Sequence, residues 1–144
     1  MKIKWIAGKI GEEVTITVTG HDDDPELDQL RTIFSKTLGY VVGKKESRQY
    51  RIPYHDIYYL ESQDEHTVLY TSKDSFIIPF RLYEIESWGD PFVRINKSTV
   101  INLNHLSSFK PMLNSKLEAL LDNGDRLEVS RMYLPVIKVK LGVK

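Results

Sequence analysis

The sequence predicts a mostly β fold with short helices, an α+β arrangement. Three observations predict it. Runs rich in strand formers, such as Ile57-Tyr58-Tyr59-Leu60-Glu61 and Thr67-Val68-Leu69-Tyr70, dominate from Arg48 onward. Leu117, Ala119 and Leu121 alternate toward Asp122-Asn123-Gly124-Asp125, and Leu127 and Val129 alternate away from it, which marks a hairpin. Helical spacing is confined to short stretches near residues 24–38, 82–88 and 134–143.

Taken in order, Val14-Thr15-Ile16-Thr17-Val18-Thr19 alternates apolar and hydroxyl residues and predicts a half-buried strand. Asp24 is placed to cap a helix that Pro25 can begin. Leu27, Leu30, Ile33, Phe34 and Leu38 continue that helix at helical spacing, with Gly39 as its C′ residue. The polar link Ser62-Gln63-Asp64-Glu65-His66 predicts a loop between two strands. Phe76-Ile77-Ile78-Pro79-Phe80 predicts a strand whose proline suits an edge position. Leu82 to Trp88 predicts a short helix stopped by Gly89. Asn-Gly in the 122–125 link predicts a type I′ turn, because both residues accept positive φ. A last helix is predicted over Leu134 to Val143 with Pro135 in its first turn, which leaves Ser130 and Arg131 in the connection before it.

A chain of 144 residues is long enough for one buried core and short for two ordinary domains. With no cysteine, disulfides, thiolate metal sites and thiol switches are excluded. No apolar run approaches the ~18 residues that span a bilayer, and the first residues lack the features of a signal peptide, so a cytoplasmic location is expected. The formal net charge of zero hides an asymmetry: residues 1–91 hold 11 Lys/Arg against 16 Asp/Glu, whereas residues 92–144 hold 9 against 4. A basic half on an acidic remainder can orient a protein on a polyanion.

Within that basic half, Asn96 and Arg131 stand between short apolar runs, where the chain should turn. Amide and guanidinium are the side chains that read base edges most readily. Four marks then carry a resemblance: Ile57-Tyr58-Tyr59-Leu60-Glu61-Ser62, Phe92-Val93-Arg94-Ile95-Asn96-Lys97-Ser98, Val100-Ile101-Asn102-Leu103-Asn104-His105-Leu106, and Leu121-Asp122-Asn123-Gly124-Asp125-Arg126-Leu127-Glu128-Val129-Ser130-Arg131. In their order and spacing, residues from about 51 to 142 resemble the LytTR-type DNA-binding domain of bacterial transcriptional regulators.

The resemblance implies a β-sheet domain over residues 51–144 whose loops enter successive major grooves, preceded by a strand–helix extension over residues 1–50 in place of a receiver domain. It implies base contacts from three loops, at positions matched here by His66, Asn96 and Arg131. The His66 loop is one residue shorter than in some members. Arg94, Lys97, Ser98, Ser130 and Lys138 are expected phosphate contacts from their chemistry and adjacency. Ile95 stands where some members carry a redox-sensitive cysteine, so that switch is not expected. The implied partner is double-stranded promoter DNA with repeated half-sites, bound by a homodimer, with a membrane protein encoded nearby as a possible further partner. No cofactor, metal or small-molecule substrate is expected.

Each residue also has a plainer reading. Asn96 followed by Lys-Ser could cap a short helix Ser98–Ile101. Arg131 could be a surface arginine or pair with a helix-end carboxylate, and a loop histidine such as His66 is usually just solvated. Arg94, alternating with Val93 and Ile95, could be a structural ion-pair residue. His21-Asp22-Asp23-Asp24 and His55-Asp56 set imidazole beside carboxylate, but adjacent residues aim poorly at one ion. No Gly-rich phosphate loop or nucleophile elbow is present, so catalysis is not expected. The alternative function is a protein-interaction module of this fold without DNA binding.

Overall fold

The computed structural model describes residues 18–21, 23–30 and 39–143. Residues 25–30 are helical (α1). Asp24 begins them as expected: its Oδ1 accepts from Glu26 N at 2.9 Å, and Pro25 follows it in the first turn. The predicted strand at Val14–Thr19 and the end of the α1 helix fall largely outside the described residues; Val18 and Thr19, which are described, are not in a strand.

Among the described residues, ten strands form two antiparallel sheets. The larger contains β1 (Tyr40–Lys45), β2 (Arg48–Pro53), β3 (Tyr59–Gln63), β4 (His66–Tyr70), β5 (Ser75–Ile78), β6 (Phe92–Asn96) and β7 (Thr99–Asn102), in the order β2-β1-β5-β4-β3-β7-β6. The smaller orders β10 (Arg126–Val129), β9 (Leu117–Leu121) and β8 (Leu106–Pro111). Two further helices are α2 (Leu82–Glu86) and α3 (Leu134–Leu141).

Period-two alternation sends neighbouring residues of β3 and β7 into two different cores. Leu60 and Val100 join Ile57, Leu69, Phe76, Leu82, Ile85 and Phe92 beneath α2. Tyr59 and Ile101 face the other way, with Ile95 of β6, onto Leu117, Ala119, Leu121, Val129 and Ile137 of the small sheet and α3. The middle of the large sheet is therefore apolar on both faces, and all four residues of β7 are buried. Both polar atoms of buried Asn102 have partners there: its Nδ2 donates to Ile57 O at 2.8 Å and its Oδ1 accepts from Asn104 N at 2.9 Å.

Several expectations are corrected. β5 is the third strand of seven rather than an edge, and Pro79 lies just past its end, outside the ladder. Proline does end an edge strand elsewhere, at Pro111 of β8. The 122–125 link is not a type I′ turn. Gly124 is at φ 94 but Asn123 is not at positive φ, and the loop closes by Gly124 N→Leu121 O and Leu121 N→Asp125 O, each at 2.9 Å. A type I′ turn needs positive φ at both central residues. β1 pairs with β2 along six residues and with β5 at Lys44, so residue 50 lies within the β1–β2 hairpin of the large sheet. Left-handed Gly89 (φ 75) follows α2, Ser130 and Arg131 lie in the connection before α3 as expected, and α3 carries Pro135 in its first turn and a left-handed Gly142 after its last.

Candidate nucleic-acid interface

Three connections come together at one end of the large sheet. The first is the turn Asp64-Glu65 between β3 and β4, where Gln63 pairs with His66. Two residues further along β3, Glu61 pairs with Thr99, and Ser62 N donates to Ser98 O at 2.8 Å. That register brings the β6–β7 turn, Asn96-Lys97-Ser98, alongside the first turn. The third connection is the segment Ser130 to Tyr133 before α3. Ser130 N donates to Ile95 O at 2.9 Å. The bulge between Arg94 and Asn96 explains this bond, since it takes Ile95 out of the β6–β7 pairing and leaves its carbonyl to serve another partner.

His66 is the first residue of β4 rather than a loop residue, because the connection is only two residues long with Asp64 at φ 54. Its side chain is exposed, beside the exposed Asp64 and Glu65. Those two carboxylates make this turn the least favourable of the three for a polyanion.

Asn96 ends β6 and is half-buried. Its Oδ1 accepts from Ser98 N at 2.9 Å and Ser98 Oγ at 3.1 Å, and its Nδ2 donates to Glu128 O at 2.9 Å. The amide thus closes its own turn and ties it to β10. The following residues Thr99–Asn102 are a strand, so the helix that Asn96 would have capped is not formed. One N–H of the amide remains for a ligand, while both oxygen lone pairs are engaged.

Arg131 is exposed, and among the described residues no hydrogen bond or ion pair engages it. Lys97, at the tip of the β6–β7 turn, is likewise exposed, and its ammonium is unpaired among them. Other cations of the basic half have carboxylate partners: Lys116 has Glu128 at 2.8 Å, Lys140 has Asp90 at 2.6 Å, and Lys110 and Arg126 share Glu118, each at 3.8 Å. Two unpaired cations at one sheet end therefore define the positive face of the site. Ser98 is exposed and Ser130 half-exposed beside them. Lys138 lies on α3, past its first turn, and no hydrogen bond or ion pair joins its side chain to these connections among the described residues.

Arg94 is held within the fold. Its Nε donates to Asn96 O at 3.0 Å, its Nη2 to Lys97 O, and its Nη1 reaches Glu86 Oε1 at 3.3 Å. Arg94 thus makes an ion pair with Glu86. Glu86, at the end of α2, had no signal in the sequence to single it out, because the contact spans two elements.

Comparison with known proteins places this arrangement. Residues 47–142 match the family model described as LytTr DNA-binding domain. Among curated proteins, the chain is 26% identical over 100 residues to the sensory transduction protein LytT of Enterococcus faecalis, covering 68% of this chain and 41% of that protein. It is 33% identical over 73 residues to the transcriptional regulatory protein YpdB of Escherichia coli strain K12, covering 49% of this chain and 30% of that one. The chain thus spans less than half the length of the curated relatives it matches. A solved LytTr DNA-binding domain from Bacillus cereus superposes with a TM-score of 0.69 at 27% identity, over 72% of this chain and 97% of that one.

Proposed function

The chain belongs to the LytTr DNA-binding domain family, and from that membership we propose that it is a sequence-specific DNA-binding regulator of transcription. The observation that carries this reading is the gathering of three connections at one sheet end, with Arg131 and Lys97 exposed and unpaired among the described residues. Arg131 has a free donor fork for guanine O6 and N7. Asn96 offers one N–H to a base acceptor, and a two-bond contact to adenine requires Ser98 Oγ to give up Asn96 Oδ1. His66 is the third base reader, on the flank weakened by Asp64 and Glu65. Lys97, Ser98, Ser130 and Lys138 supply phosphate contacts, and affinity falls with salt as counterions are released.

A module with two or three base contacts discriminates weakly alone, so we infer binding as a homodimer on repeated half-sites of promoter DNA. No helix among the described residues is long and apolar enough to cross a membrane. The proposed protein acts in the cytoplasm, and a membrane protein encoded nearby is the proposed partner through which it is controlled.

Fluorescence anisotropy on promoter DNA tests the proposal. Arg131→Ala should weaken binding to the operator by about 1–3 kcal/mol with the fold retained. Light scattering on the complex should give two chains per operator. Equal binding to operator and scrambled DNA by the unaltered protein would refute the proposal.

A further inference from the structure

The Arg94 guanidinium is tied to the backbone of the β6–β7 turn and to α2. Its side chain is only 22% exposed. Three of its donors are committed, to the carbonyls of Asn96 and Lys97 within the turn and to the Glu86 carboxylate on α2. The turn is braced from two other directions, by Asn96 Nδ2 on Glu128 O of β10 and by Ser62 N of β3 on Ser98 O. Among the described residues, only the Arg94 link runs from this turn to a helix, and it alone grips carbonyls on two successive turn residues. A planar fork can hold two carbonyls and a carboxylate at once, whereas a lysine ammonium is a point donor.

We propose that Arg94 is a positioning residue for DNA reading: anchored by Glu86, it fixes the Asn96-Lys97-Ser98 turn so that discrimination between sequences depends on it without its touching DNA. The proposal rests on the DNA-binding reading above. A residue that contacts phosphate and one that shapes a reading turn leave different signatures. Losing a phosphate contact weakens all DNA alike and lowers the salt slope by about 0.9. Losing the brace lowers affinity for the operator alone and leaves the slope unchanged.

The experiment compares operator and scrambled DNA by anisotropy across a salt series, for the full chain and for Arg94→Gln, Arg94→Lys and Glu86→Gln. Specific binding by the unaltered chain establishes the DNA-binding reading independently of Arg94, and its absence would remove that reading and this one together. Given that binding, Arg94→Gln should lose about tenfold in operator-over-scrambled preference, near the low end of one base-reading contact, with its salt slope kept. Arg94→Lys should fail to restore the preference. Glu86→Gln, in α2 and away from the turn, covers the case in which the Arg94 variants fold poorly. It removes a negative charge, so simple electrostatics would raise affinity for all DNA, whereas release of the brace lowers the operator preference. A uniform loss with a reduced slope in Arg94→Gln, rescue by Arg94→Lys, or an unchanged preference in Glu86→Gln would each overturn the proposal.

Discussion

At the scale of single residues, three polar side chains in this domain have distinct tasks set by what surrounds them. Asn102 is buried with both its amide nitrogen and its oxygen bonded, holding Ile57 O and Asn104 N. Asn102→Ala leaves that buried acceptor and the nearby donor unsatisfied, so it should lower stability by about 1–3 kcal/mol. Urea denaturation measures this, and a midpoint equal to that of the unaltered protein would contradict it. Asn96 is divided between its own turn and the solvent side, whereas Arg131 has no internal task among the described residues. The two proposed base readers should therefore separate on substitution. Asn96→Ala should cost stability as well as DNA binding, and Arg131→Ala DNA binding alone. Thermal melts of the two variants check this, with a lowered Tm expected only for Asn96→Ala.

At the scale of elements, the strands with clean alternation and the helices with caps or glycine stops were legible in the sequence. β3, β4, β9 and β10 fall where the apolar runs lie, and left-handed Gly89 and Gly142 follow the ends of α2 (Glu86) and α3 (Leu141). β1 and β8 were not legible. In β1 the pattern Tyr40-Val41-Val42 is interrupted by Gly43 and two lysines, and its place depends on pairing with the later strands β2 and β5. β8 is exposed along almost its whole length, so it carries no apolar alternation to read. Gly43 shows why the interruption is tolerated. A Cβ there would sit 2.7 Å from Ile52 Cδ1 and 2.8 Å from Phe76 Cβ, so the glycine lets β1 close against its neighbours. Gly43→Ala should cost about 1–3 kcal/mol by overpacking, measurable as a lower denaturation midpoint. A neutral result would mean that β1 shifts freely. The candidate site was legible as residue types but not as geometry, since the Arg94–Glu86 link and the Asn96–Glu128 bond join segments far apart in sequence.

At the scale of the whole molecule, two packed cores share the central strands, and Tyr59 sits where the large sheet meets the small one, stacked on Tyr70 with ring centroids 4.4 Å apart. Burial, and after it the Asp125 carboxylate, push the Tyr59 phenol well above its ordinary range, and burial with Glu61 raises Tyr70 in the same direction. The folded state thus favours neutral phenols. Their contribution is full below the unfolded tyrosine value of about 10 and is lost as pH rises from there toward the raised folded values. Denaturation midpoints should fall on going from pH 8 to pH 11, and Tyr59→Phe should fall less. The asymmetry of charge also belongs to this scale, because net charge is zero while the basic half leaves Arg131 and Lys97 unpaired, among the described residues, at one end of the sheet. The central claim is that this end reads DNA sequence. Its most direct test is the affinity ratio between operator and scrambled DNA, measured at one salt concentration for the unaltered chain and for Arg131→Ala. The account predicts a preference of at least tenfold in the unaltered chain, in keeping with one or more base contacts, and its collapse toward unity in the variant. An undiminished preference in a folded Arg131→Ala protein would contradict it.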